Sequence, residues 1–396
     1  MAPESIYLDH AATTPTDPRA VEAMLPYFTE KFGNPSSIYR LGRASLDALD
    51  DARETVAAII GARRKEIVFT SGGSEADNLA IKGVAFTQRE AGRGNHVITS
   101  AIEHHAVLHA VEYLEHFGFE VTVLPVDADG IVSVDDLRAA IRPETTLVSV
   151  MAANNEIGTI QPIAELGAVC RERDVLFHTD AVQMVGALPV NVKDLNVDLL
   201  SMTAHKFHGP KGVGALYMRR GVPLLPQING GSQERRLRAG TENVAGIVGL
   251  ATALRIAADG LAAGSAHCAM LRDRLIDGVL ARIDHVHLNG HRSLRLPNNV
   301  NLSFDFIEGE SMLLLLDQQG VYASSGSACT SGSLDPSHVL MALGISAERA
   351  HGSLRMTLGR DNTVEQIDRV LDLLPPIVER LRSVSPMYKQ HLQEVG

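Results

Sequence analysis

Short apolar, β-branched runs alternate with longer amphipathic stretches from residue 66 to residue 203, and that alternation narrows the possible folds more than any other feature. EIVFT (66–70), HVITS (96–100), FEVTVLPV (119–126), TLVSVMA (146–152), VLFHTD (175–180) and DLLSMT (198–203) read as strands. Strands buried on both faces are written as continuous apolar runs, and strands separated by helical stretches imply βαβ units with parallel pairing. SGGSEADNLAIKGVAF and EHHAVLHAVEYLEHFG supply two of the helices, the second stopped by Gly118. Ser133 before VDDLRAAI, with Asp136 three residues on, is placed to cap another. The expected fold class is α/β, a doubly wound and mostly parallel sheet over residues 16–255. Beyond residue 255 the texture changes to helix (266–283), the strand-like VHLNG and NNVNLSFDF, a helix at 309–319, a Gly/Ser loop at 323–333 and a helix near 363–382. A smaller α+β domain is expected there, formed by residues 1–15 plus 256–396.

The 396 residues can bury a sizeable core, and 45% hydrophobic with 21% charged composition excludes a disordered chain. Lys and Arg number 36 against 47 Asp and Glu, a net charge of −11, which argues against a nucleic-acid partner. The cysteines, Cys170, Cys268 and Cys329, are odd in number and widely spaced, so no disulfide framework is expected and a reducing compartment is. MAPESIYLDHAATTP lacks the basic start and apolar run of a signal peptide, and MLLLL (312–316) is too short to cross a bilayer. A soluble cytoplasmic protein with no membrane partner is the expectation.

In open α/β sheets ligands bind at the carboxyl ends of the strands. The first strand ends in Thr70-Ser71-Gly72-Gly73-Ser74 and opens a helix, where backbone N–H groups and the helix dipole favour an anion. The segment matches neither a Walker A nor a dinucleotide fingerprint. Asp180 ends a buried strand and needs a cationic or hydrogen-bonded partner, which a protonated ring nitrogen can supply; a helix cap or salt bridge is the plain alternative. Lys206, in Thr203-Ala204-His205-Lys206-Phe207-His208-Gly209-Pro210-Lys211, is placed to project into a cleft and form a Schiff base with a carbonyl; Lys211 is its rival in an exposed turn. A phosphate cradle, a carboxylate for a pyridinium and an amine nucleophile are what pyridoxal 5'-phosphate requires. His104 could stack on its ring. A metal reading of His105 and His109 lacks cysteine or aspartate company at zinc spacing, and no metal is expected.

The stretches YLDHAATTP, FGNPSS, FTSGGSEADNLAIKG, EHHAVL, ANNEIG, HTDAVQ, TAHKFHGPKGVGALY, RAGTEN, SSGSACTSGS and AHGSLRMTLGR run from residue 7 to residue 360. With them the chain resembles the class V pyridoxal-phosphate enzymes of the type I transferase fold, and among them the cysteine desulfurases of NifS/IscS type. The resemblance implies Lys206 as the Schiff-base lysine, Asp180 as partner of the pyridine nitrogen, Gln183 as donor to the phenolic oxygen and His104 as the stacking residue. Gly73, Ser74, Thr203 and His205 resemble the phosphate ligands, and Thr241 the residue that reaches the phosphate of a neighbouring subunit, which implies a homodimer. Asn155 and Arg355 match the groups that hold the substrate carboxylate. Ser74 stands where many relatives carry Thr, and Thr203 where they carry Ser, but each keeps its hydroxyl. His10 replaces an Asn or Tyr. FIEGESMLLLLDQQG and TSGSLDPSHV look more like the nitrogen-fixation branch than the housekeeping one.

Cys329 separates the possible reactions. It lies among glycines and serines in Ser324-Ser325-Gly326-Ser327-Ala328-Cys329, with no large apolar neighbour, so its thiol has little reason to be core. The implied chemistry converts L-cysteine to L-alanine: the Cys329 thiolate attacks the substrate sulfur, holds it as a persulfide and passes it to an iron–sulfur scaffold or another sulfur acceptor. Competing readings are another class V enzyme, an aminotransferase or selenocysteine lyase, and a non-enzymatic sulfur-binding protein on the same fold. Cys170 and Cys268 sit among apolar residues and read as packing.

Overall fold

The computed structural model describes residues 5–325 and 335–395; Cys329 and most of its Gly/Ser loop lie outside the described residues. A seven-stranded sheet carries the strand order Ile67–Thr70, Gly214–Met218, Leu199–Thr203, Leu176–Asp180, Thr145–Ser149, His96–Ser100, Glu120–Leu124. Each pair is parallel except the two made by Gly214–Met218, which runs antiparallel between its neighbours.

Successive residues of a strand point to opposite faces, and here they feed two different cores. Ile67, Phe69, Ile98, Val148, Phe177, Leu200 and Ala215 pack on one side with Leu49, Val56, Leu166, Val169, Leu250 and Leu254 of the covering helices. Val68, Val97, Leu147, Leu199 and Leu216 pack on the other with Leu79, Ala80, Val84, Val107, Val111 and Leu114. Helices Gly73–Glu90 and His105–Glu115 therefore cover one face, and Arg40–Ile59, Ile163–Glu172 and Val244–Asp259 the other. The sheet is doubly wound, as the strand spacing predicts. Ser133 caps Val134–Ala140 by accepting from Asp136 N, also as expected.

A separate core joins Ile6 and Leu8 to residues from Leu271 to Val378, around the antiparallel strands Val286–Leu288, Asn299–Phe304 and Ser353–Thr357. Ile6–Tyr7 pairs in parallel with Val321–Tyr322. Helices Val244–Asp259 and Leu261–Arg282 meet at a 72° bend, and among the described residues no single helix is long and apolar enough to cross a membrane.

One buried ion pair ties the first sheet strand to a distant turn. Arg53 meets Glu234 in a bidentate contact, 2.7 Å on each arm, while Glu234 also accepts from Phe69 N at 3.0 Å. Glu234, Arg235 and Arg236 all hold positive φ (44°, 59° and 69°), a costly conformation for side-chain-bearing residues, and the Glu234 carboxylate is anchored by these contacts. Arg53→Ala leaves the Glu234 carboxylate buried without its cation. It is expected to lower stability by about 3–5 kcal/mol in chemical denaturation, with Arg53→Ala/Glu234→Gln recovering part of that loss.

Candidate active site

The carboxyl ends of the parallel strands gather the predicted residues. Thr70 leads through Ser71 and Gly72 into helix Gly73–Glu90, and Gly72 caps that helix with no side-chain hydrogen bond. Its first-turn N–H groups are thus not taken by a cap, and Ser74 stands in that turn. A Cβ on Gly73 would meet Val182 Cγ2 at 2.7 Å, so only glycine fits against the segment that follows Asp180. Thr203 Oγ1 lies at ordinary contact distance, 3.9 Å, from where a Cβ on Gly72 would be, and donates to Val213 O at 3.2 Å.

Asp180 ends its strand buried, and its Oδ1 accepts from Val182 N at 2.9 Å. Burial pushes its carboxyl up to about 6, against the pull of the Val182 N–H and the Lys206 cation. Lys206 closes the turn Ala204–Lys206, and its Nζ donates to the carbonyls of Ala11 and, at 2.8 Å, Ala12. Gln183 Nε2 donates to the same Ala11 carbonyl at 3.0 Å. His205 contacts Thr13 Oγ1 through Nδ1 (3.2 Å), and burial followed by Lys206 pushes its imidazole down to about 4.

His104 caps helix His105–Glu115, its Nδ1 accepting from Ala106 N at 3.1 Å. An Nδ1 that accepts carries no proton, so the neutral ring bears its hydrogen on Nε2. Burial, then Lys206 and the neighbouring His105, push this imidazole down to about 4, which keeps it neutral. The rings of His105 and His109 stack at 5.0 Å.

Arg355 is 3% exposed; its Nη2 donates to Asp9 Oδ1 at 2.9 Å and its Nη1 to the Asn155 carbonyl at 3.1 Å. Its Nε is buried and, among the described residues, has no hydrogen-bond partner. A guanidinium with an N–H to spare suits a carboxylate ligand. Asn155 therefore meets Arg355 through its backbone. Thr241 is exposed after Gly240 and, among the described residues, shares no hydrogen bond with the Lys206 cluster.

Several residues beyond the predicted set complete the site. Residues 11–14 run alongside the 205–208 turn, where Thr14 N and Oγ1 both donate to His205 O at 3.0 Å. Beneath Asp180 lie Asp77, Glu103 and His178, all fully buried. His178 bonds Ser149 and Ser201 (2.8 and 3.0 Å), stands 3.7 Å from Asp77, and is pushed down to about 3 by burial. Burial raises Asp77 and carries Glu103 up to about 8, with Asp180 adding to both shifts. The signal for Asp77 is present in SEADNLAI: a carboxylate on the same helical stripe as the buried Ala80 and Ile81.

These residues fit pyridoxal 5'-phosphate. The helix start offers N–H groups and a hydroxyl to a phosphate, the buried Asp180 a carboxylate to a ring cation, and Lys206 a primary amine between them. A class V aminotransferase family model matches residues 6–370. The chain belongs to that family. It is 57% identical over 384 residues to the protein named cysteine desulfurase IscS of Methanosarcina thermophila, across 97% of this chain and 94% of that one. Among solved structures it resembles a NifS-like protein (TM-score 0.89, 40% identity, 95% of this chain and 100% of that chain). It also resembles SspA in complex with cysteine (TM-score 0.80, 38% identity, 91% and 100%). The architecture is the type I fold of pyridoxal-phosphate-dependent enzymes.

Proposed function

We propose that this family member is a pyridoxal-phosphate-dependent cysteine desulfurase that converts L-cysteine to L-alanine. Supporting this reading is the convergence of Lys206, Asp180 and His104 at one edge of the sheet, in a chain whose near-full-length relative is named a cysteine desulfurase. The cofactor supplies an electron sink for cleavage at the substrate α-carbon. The chain's residues do the rest. Gly73, Ser74, Thr203 and His205 bind the phosphate, Gln183 orients the ring's oxygen, and Asp180 holds a proton on the ring nitrogen. Arg355 and Asn155 hold the substrate carboxylate so that the cysteine sulfur faces outward. Neutral His104 covers the ring and excludes water. Cys329 takes the sulfur: its S–S bond forms as the substrate C–S bond breaks, and the released carbon ends as alanine. The resulting persulfide serves an acceptor protein, an iron–sulfur scaffold or another sulfur carrier, in the cytoplasm.

A homodimer is part of the same proposal, with Thr241 completing the phosphate site of the other copy. Phe28, Phe32 and Ile38 are 60%, 65% and 86% exposed, beside exposed Leu25 and Tyr39. An apolar face of this kind is suited to cover by a second copy. We also propose that the two cores on the faces of the seven-stranded sheet belong to one domain expected from the sequence, 16–255, and the separate core to the other, 1–15 plus 256–396.

The test is direct. Purified yellow protein given L-cysteine and a reductant is expected to release sulfide and alanine one to one. Cofactor-loaded protein that forms a keto acid or no sulfide would point to an aminotransferase instead.

A further inference from the structure

A cavity of about 540 Å³ lies between the core on one face of the seven-stranded sheet and the separate core that includes Ile6 and Leu8. Phe207 and Ala257 line it from the first, and Leu358 from the second. Its size is that of a small-molecule site, and such sites favour the boundary between packed units. Among the described residues to which a cofactor or substrate role is given above, only Lys206 borders it. Asp180, His104 and Arg355 do not, so the cavity is distinct from the active site.

One wall is a single stripe of helix Leu261–Arg282. Leu261, Gly264, Ser265 and Cys268 recur at the three- and four-residue spacing of one helical face, and all four line the cavity. A Cβ on Gly264 would meet nothing within 4 Å, and the residue does not hold a positive φ. Neither a close neighbour nor the backbone therefore requires glycine there. Glycine inside a helix is destabilising relative to alanine, so the space in front of Gly264 is kept open at the expense of the helix.

The polar groups around that space are only partly used. His10 lines the cavity, and its buried Nδ1 has no hydrogen-bond partner among the described residues. A buried polar atom of this kind is costly unless a ligand or water meets it. Burial, then His208, pushes the His10 imidazole down to about 4, so the ring is neutral and has one N–H to donate. Arg19 and Arg360 also line the cavity and share one carboxylate, Asp17. Arg19 takes it through Nε and Nη2 (3.0 and 2.8 Å), and Arg360 through Nη2 alone (2.6 Å). Arg360 Nη1 has no hydrogen-bond partner among the described residues. A guanidinium with donors to spare suits a carboxylate. The exposed Asp259 borders the cavity too, and its charge favours a ligand with one negative group over one with two. We propose that this cavity binds a small monocarboxylate, its carboxylate taken by Arg360 and His10 and its apolar body packed on Phe207, Ile256, Leu261 and Leu358.

Isothermal titration of the cofactor-loaded protein with 3-phenylpropionate tests this. Saturable binding of one molecule per chain is expected, with a Kd of about 1 mM or tighter. 3-Phenylpropionamide keeps the apolar body and loses the charge, and is expected to bind at least about 10-fold more weakly. Phenylsuccinate, with two carboxylates, is also expected to bind more weakly than 3-phenylpropionate. Gly264→Leu fills the open space, and is expected to weaken 3-phenylpropionate at least about 10-fold without lowering the melting temperature or changing the visible spectrum. Arg360→Gln leaves Asp17 its Arg19 partner and is expected to weaken the acid by a similar factor. An absence of saturable binding overturns the proposal. Binding that survives both variants also overturns it, because it places the acid elsewhere, as on Arg355 in the active site. Equal affinity for the acid and either analogue overturns the ligand class. Should Gly264→Leu fail to fold, Arg360→Gln decides by the same criteria.

Discussion

Lys206→Ala is expected to abolish turnover of L-cysteine, by at least about 10³-fold in alanine release, with the fold retained. The lysine is the amine that the sheet edge presents, held by the Ala11 and Ala12 carbonyls and electrostatically linked to Asp180 and His104. Its rival Lys211 is exposed in the following turn. Borohydride treatment of the wild type is expected to fix the cofactor covalently on the peptide containing Lys206, and to fix none in the variant. A second readout tests the electrostatics without turnover. Lys206 helps to push both His104 and His205 down, so removing its cation must raise both imidazoles from about 4. Burial remains the larger cause of each shift, so the rise stops short of the ordinary histidine value. Proton NMR titration of the two rings measures it. Turnover that survives in Lys206→Ala, or covalent cofactor on Lys211, would reassign the nucleophile.

What the sequence made legible is what is local along the chain. Asp180, Thr203 and Lys206 are readable because a strand's carboxyl end is marked by the end of its apolar run, and ligands collect there. The Ser133 cap is readable because donor and acceptor are three residues apart. Contacts between distant segments leave no such mark. Arg53 and Glu234 are 181 positions apart, and Asp9 and Arg355 are 346 apart; each of these charges alone resembles a solvated one. Strand Gly214–Met218 is missed for another reason. It is five residues long, opens on glycine and follows Pro210 and Gly212, so its composition reads as the tail of a turn. Its antiparallel entry between Ile67–Thr70 and Leu199–Thr203 is a matter of topology rather than of local pattern. It matters to the site, because a Cβ on Gly214 would approach Gly72 within 2.7 Å, where the phosphate-cradle turn begins.

Cys329→Ser is expected to separate the two halves of the reaction. None of the residues that fit the cofactor lies between Ser325 and Asp335, so cofactor content and the spectral response to L-cysteine are expected to remain. Sulfide release under turnover is expected to fall by at least about 10³-fold, because a serine hydroxyl does not accept sulfur as a persulfide. The other thiols offer no substitute. Cys170 is fully buried and its thiol is driven far above the ordinary range by burial and by Asp198. Cys268 is also buried, and burial with Asp361 pushes it up to about 11. The nucleophile in sulfur transfer is a thiolate, and at neutral pH neither buried group supplies one. In the wild type, mass spectrometry after L-cysteine and before reductant is therefore expected to place one additional sulfur on the peptide containing Cys329 and none on the other two. Sulfur found on Cys170 or Cys268, or normal sulfide release by Cys329→Ser, would mean that the accepting thiol lies elsewhere and that burial fails to silence these cysteines.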